Sequence, residues 1–193
     1  MNDFAEIFQD GPPEKGSFLS RVFGIFNEEI IRIWARDSRS PYNIHEHRPT
    51  LYENKKRYTL DFLLEKNGDL FVSEMKCEIQ YQNYRYWRLN STRQLEHHRK
   101  KRAFELFLNI SQDPSSVLVK AGEAVKIKGT VLVWGAATDQ GVAEVTREFG
   151  ISDVLTVESC IKDLSTWGNQ EYESFLCARE QWLASLFTRL RGK

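Results

Sequence analysis

The tetrapeptide Lys66-Asn67-Gly68-Asp69 lies between two apolar runs, and it limits the fold more tightly than any other stretch of this chain. Asn-Gly readily takes positive φ at both positions, which the two-residue turn of a twisted hairpin requires. The flanking runs, residues 58–64 and 70–77, therefore predict two antiparallel strands. With Asn67 and Gly68 as the loop, Lys66 faces Asp69, Leu64 faces Phe71 and Phe62 faces Ser73. One more step sets Asp61 across from Glu74.

That pairing carries chemistry. Opposed Cβ atoms in a hairpin are about 4.5–5.5 Å apart, and like charges there repel. Strand alternation puts Lys76 on the same face as Glu74. Two carboxylates and an ammonium in one patch form a site for a divalent cation with oxygen ligands, magnesium above all. Such an ion activates water and neutralises a phosphodiester, and a neighbouring lysine stabilises developing negative charge.

The segment before the hairpin predicts a helix over residues 17–36, capped by Ser17. Leu19, Val22, Phe23, Phe26, Ile30 and Ile33 form its apolar stripe. At about 100° per residue, Glu29 falls inside this stripe and Glu28 opposite it. A carboxylate on a buried face needs a partner, so Glu29 is expected to join the metal site.

Asp61, twelve intervening residues and then Glu74-Met75-Lys76, with a helical glutamate upstream, resemble the PD-(D/E)xK nuclease superfamily. Leu60 stands where the family name has proline. The resemblance implies a restriction-endonuclease-like core of the α-β-β-β-α-β kind. It also implies Mg²⁺-dependent hydrolysis of DNA phosphodiesters, with Mn²⁺ as a substitute. Asp61 and Glu74 would bind the metal, with the Met75 carbonyl as an extra ligand. Lys76 would assist the attacking water, and Glu29 would match the first-helix glutamate of many members.

Downstream, Arg85, Arg88, Arg93, Arg99, Lys100, Lys101 and Arg102 crowd a short stretch with Tyr81, Tyr84, Tyr86 and Trp87. Cations hold phosphates and aromatic rings stack on unpaired bases, so a DNA-contacting surface is expected here. A basic helix is predicted over 91–110. Gln94 and His98 would share its face beside Lys101, loosely as a glutamine and a tyrosine do in helicase-linked exonucleases of the superfamily.

The apolar run over 130–136 predicts a strand buried on both faces. Helices are predicted over 140–149, 158–164 and 171–190, with a short strand over 154–157. The expected fold is α/β: a mixed central sheet flanked by helices on both faces, with a long C-terminal amphipathic helix. Residues 1–16 read as an arm, 17–165 as the core domain, and 166–193 as a helix packed on the core or on a partner, including a second copy.

A formal net charge of zero rules out a general polycation. The widely spaced Cys77, Cys160 and Cys177 predict neither disulfides nor a zinc site, and point to the cytoplasm. His45 and His47 are read as incidental, and no membrane span is expected. Two other readings stay open: a nucleic-acid-binding module that does not cut, and a subunit that needs a partner for activity.

Overall fold

The computed structural model describes residues 16–77 and 87–192, with side chains from residue 24 onward. Helix α1 (Gly16–Arg36) opens the described chain. It buries Asn27, Ile30, Ile31 and Trp34, at the i, i+3, i+4, i+7 spacing of one stripe. The stripe read from the sequence runs through Phe26 and Glu29, one residue away. Polar Asn27 sits in the true stripe, and that displaces the reading.

The chain then forms β1 (Asn43–Ile44), β2 (Thr50–Glu53), β3 (Lys56–Thr59), β4 (Phe62–Lys66) and β5 (Asp69–Lys76). Asn67 and Gly68 take φ of 54° and 81°. The β4–β5 register runs from Lys66↔Asp69 to Phe62↔Ser73, as the turn predicts. The run over 58–64 is not one strand, however. The Leu60 N–H donates to the Pro49 carbonyl at 3.0 Å, which keeps Leu60 with β2 and β3. Two residues later β4 pairs with β5, so the chain changes sheets at Leu60-Asp61.

Beyond β6 (Arg88–Leu89) the predicted basic helix is broken. Two 3₁₀ turns, Thr92–Leu95 and His98–Lys100, precede α2 (Arg102–Gln112). Lys101, between the second turn and α2, is extended, at φ −90° and ψ 118°. There follow β7 (Leu118–Ala121), β8 (Glu123–Ala124), β9 (Gly129–Trp134), β10 (Ala136–Ala137), α3 (Asp139–Phe149), β11 (Asp153–Thr156), α4 (Val157–Trp167) and α5 (Gln170–Leu190).

The main sheet has the order β1-β4-β5-β9-β11. β1, β4 and β5 run antiparallel, whereas β9 is parallel to β5 and β11 to β9. A second, antiparallel sheet has the order β3-β2-β7-β8, and β6 pairs in parallel with β10. All six residues of β9 are buried, the pattern expected of a strand covered on both faces.

Helices flank the main sheet on both sides. On one side Ile30, Ile31 and Trp34 of α1, with Cys160 and Leu164 of α4, pack on Phe62, Leu64, Val131 and Val133. On the other, Phe104 and Phe107 of α2 and Val145 and Phe149 of α3 pack on Leu63, Val72, Leu132 and Trp134. Each fully buried large apolar side chain contributes about 1.5–3 kcal/mol.

Helix α5 behaves differently, because only Tyr172 in it is buried. Phe175 meets Phe26 edge-on at 5.5 Å. Trp182, Phe187 and Leu190 are exposed. Among the described residues no helix is long and apolar enough to cross a membrane.

Candidate active site

The hairpin register carries Asp61 and Glu74 to the open end of the β4–β5 pair. Asp61 lies just outside β4, and its carboxylate accepts the Met75 N–H at 2.8 Å. A side chain thus takes a ladder position that a backbone carbonyl would otherwise fill. Glu74 stands beside it within hydrogen-bonding reach. Glu74 is 7% exposed, unusually deep for a carboxylate.

Lys76 closes the group. Its ammonium pairs with Glu74 and donates to the Met75 carbonyl at 3.2 Å. The Nζ also lies 5.6 Å from the centre of the Phe104 ring. The expected patch of two carboxylates and one ammonium is therefore assembled, with the Met75 carbonyl beside it.

The electrostatics are unbalanced. Burial pushes the Glu74 carboxyl above its ordinary range. The Asp61 charge adds to this rise, while Lys76 opposes it. One ammonium does not neutralise two carboxylates in a poorly hydrated place. A proton held by Glu74 or a bound cation relieves the imbalance. The oxygens of Asp61, Glu74 and Met75 are donors of the hard kind that magnesium takes. Among the described residues no three or more His, Cys, Asp or Glu side chains gather as metal donors.

Glu29 is not a member of this group. Helix α1 covers the sheet face that bears Phe71 and Met75. Glu74 and Lys76 alternate to the other face, beneath α2. The Glu29 side chain is 37% exposed and lies 3.7 Å from Arg36. A half-exposed carboxylate beside a guanidinium needs no metal, so the premise that buried it is corrected.

The basic segment divides by burial. Gln94 is a structural residue: its side-chain oxygen accepts the Asn90 N–H at 2.6 Å and the Ser91 N–H at 3.1 Å. Its amide donates to the Arg88 carbonyl at 2.8 Å. A buried amide committed in this way does not read DNA. The pattern Ser91-Thr92-Arg93-Gln94 is a capping-box signature, and it was the available clue.

His98 is 1% exposed, with Trp134 and Phe104 rings around it. Burial pushes it down to about 3, and the nearby charges of His97, Lys76 and Lys101 add to the fall. It is a neutral wall beside Lys76 and not a surface contact.

Arg88, Arg93, Arg99 and Lys101 are exposed. Arg99 pairs with Glu96 at 3.3 Å, and Lys101 lies near enough to His98 to act on its charge. Arg85 and the tyrosines Tyr81, Tyr84 and Tyr86 lie outside the described residues. His45 is 3.9 Å from Glu65.

Cys77 packs on the α1 side, and burial pushes its thiol up, which suits a core residue and not a nucleophile. Cys77, Cys160 and Cys177 are all free thiols. No family model, curated protein or solved structure matches the chain.

Proposed function

We propose that the chain is a Mg²⁺-dependent nuclease that hydrolyses DNA phosphodiester bonds at Asp61, Glu74 and Lys76. The observation that carries the reading is the buried Glu74 carboxyl, raised by burial and by the Asp61 carboxylate beside it, with a single ammonium to offset both. A surface salt bridge has no such surplus of negative charge.

Asp61 and Glu74 would hold the ion, with the Met75 carbonyl as a further donor. When bound, the ion supplies Lewis-acid stabilisation of the phosphate and lowers the pKa of water. Lys76 is held between Glu74 and the Met75 carbonyl, which fixes its ammonium without a large entropic cost on reaction. It orients the attacking water and stabilises the charge that develops on the phosphate oxygens. Water adds to phosphorus and gives up a proton to solvent, the opposite P–O bond breaks, and the leaving oxygen takes a proton from solvent in return. His98 and Phe104 limit water around Lys76, which strengthens its charge.

A restriction-endonuclease-like core belongs to the same proposal. It is supported by an E-x-K strand at the centre of a mixed sheet, preceded by a helix and an antiparallel partner and followed by a helix and two parallel strands. The exposed Arg88, Arg93, Arg99 and Lys101 supply a phosphate-binding flank. The free thiols suit a reducing compartment such as the cytoplasm.

The test is a cleavage panel of linear, branched and single-stranded DNA and of RNA, with Mg²⁺ and with Mn²⁺. The expected result is metal-dependent cutting of DNA that is lost in Asp61→Ala and Lys76→Ala while both variants stay folded. Full activity in those variants defeats the proposal. Salt-sensitive binding with no cutting of any substrate would favour the binding-module reading.

A further inference from the structure

The small sheet has one buried and one open face. Leu51, Tyr58 and Val119 lie opposite one another in register, and Leu51 and Val119 are buried in the core under α2. Alternation turns Thr50, Tyr52, Arg57, Thr59, Leu118 and Lys120 to the other side. None of these positions carries a carboxylate.

At the middle of the open face Tyr52 is flanked by two cations from the neighbouring strands. The Arg57 guanidinium carbon is 5.5 Å from the ring centre, and the Lys120 Nζ is 5.1 Å from it. Neither cation has an ion pair among the described residues. Cation–π contacts hold both flexible heads at the ring with their charge unspent.

We infer that the open face of the small sheet is a second nucleic-acid contact, in which Arg57, Tyr52 and Lys120 grip the sugar–phosphate backbone of a strand. Charge complementarity selects a polyanion, because the two unspent cations stand either side of a ring whose hydroxyl is a further donor to phosphate. Strand β3 carries Arg57 and Thr59, and two residues after Thr59 comes Asp61, so one continuous stretch of chain joins this face to the carboxylates. That junction favours nucleic acid over other polyanions. This choice of ligand rests on the nuclease reading.

The experiment uses the full chain in EDTA, so that binding is read apart from cleavage, with fluorescent 20-nucleotide single-stranded and duplex DNA as probes. Arg57→Ala with Lys120→Ala is expected to weaken binding by about tenfold. The slope of log affinity against log salt should fall by roughly one per lost phosphate contact. Arg57→Lys is expected to retain most of the affinity, and Lys162→Ala, an exposed cation on α4, should change nothing.

All three positions of the grip lie on the open face, and thermal melting checks that the variants fold. Unchanged affinity in the double variant overturns the inference. So does binding of the parent chain to anionic phosphatidylserine vesicles but not to DNA. Failure of the nuclease reading shows separately, as cutting that survives Lys76→Ala in Mg²⁺.

Discussion

Two hairpins in this molecule share a turn and differ in everything else. The β4–β5 hairpin turns on Asn67-Gly68 and the β2–β3 hairpin on Asn54-Lys55, and all four residues have positive φ. The first lies inside the main sheet, and its strands are buried around Leu63, Leu64 and Val72. Its open end holds two carboxylates and one ammonium. The second is a sheet edge with a wet face, and it holds an aromatic ring and two unopposed cations. In the proposed function the first hairpin breaks a phosphodiester, and in the further inference the second holds one. Burial accounts for the contrast. A carboxylate pair gains its metal affinity from lost hydration, whereas a phosphate grip works best on a surface that a long polyanion can reach.

The largest expected effect falls on the buried hairpin. Lys76→Ala should lower kcat by about 10²–10³-fold, the usual consequence of losing one well-placed charge stabiliser, as read from single-turnover cleavage in Mg²⁺. Arg57→Ala should change binding in preference to kcat. If both variants act on the same parameter, the division of labour between the hairpins fails.

The next effect is on stability against pH. The folded Glu74 binds its proton more tightly than the unfolded chain does, since its carboxyl lies above the ordinary 4.5. Its contribution to stability is therefore complete below that value and is lost as pH rises through the raised folded value. The slope is limited to about 1.36 kcal/mol per pH unit. Denaturant melts of the metal-free protein should show this decline, Mg²⁺ should reverse it, and Glu74→Gln should abolish it. His98 produces a separate loss on the acid side. Its folded value is pushed down to about 3 from the ordinary 6.5, so stability should fall as pH drops below 6.5. The two slopes oppose each other where the windows overlap, so a Glu74→Gln melt series with the same pH profile as the parent would contradict the buried character of this hairpin.

The smallest effects concern the turns themselves. Gly68→Ala places a β-carbon at φ 81° and should cost roughly 1–2 kcal/mol, the penalty of a left-handed L-residue. Lys55→Gly should stabilise by about 1 kcal/mol, because Lys55 bears that strain at φ 67°. Equal and opposite shifts in urea melts would support a common turn geometry. A loss in both would mean that the Lys55 side chain makes contacts that outweigh its backbone strain.

The same turns account for how much of the fold could be read in advance. Asn67-Gly68 states its geometry in its composition, so the register, the Asp61–Glu74 juxtaposition and the shared face of Glu74 and Lys76 all followed. Asn54-Lys55 does not advertise the same turn. The short strands on either side were therefore not predicted, apart from Tyr58 and Thr59 at the head of the run over 58–64, and the open face of Tyr52, Arg57 and Lys120 went unseen. The apolar letters from Tyr58 to Leu64 run on across a change of sheet, since both sheets bury them. On α1 a single polar residue, Asn27, sits in the stripe and rotates the apparent face by one position, enough to bring Glu29 wrongly inward. Between 91 and 101 the charges are compatible with a helix, but Gln94 spends its amide on the Asn90 and Ser91 backbone and holds a tight turn instead. The long C-terminal helix was legible in extent, although its apolar residues mostly face outward.

The crossing at Leu60-Asp61 gives the molecule a joint. Asp61 is the last residue of one structural layer and the first of the next, while Glu74 is anchored deep in the rigid centre. Through Leu60 the aspartate is tied to the small sheet, and through the Met75 N–H it is tied to the strand that bears Glu74. One residue therefore rivets the two sheets together, and its carboxylate cannot be replaced without loosening both.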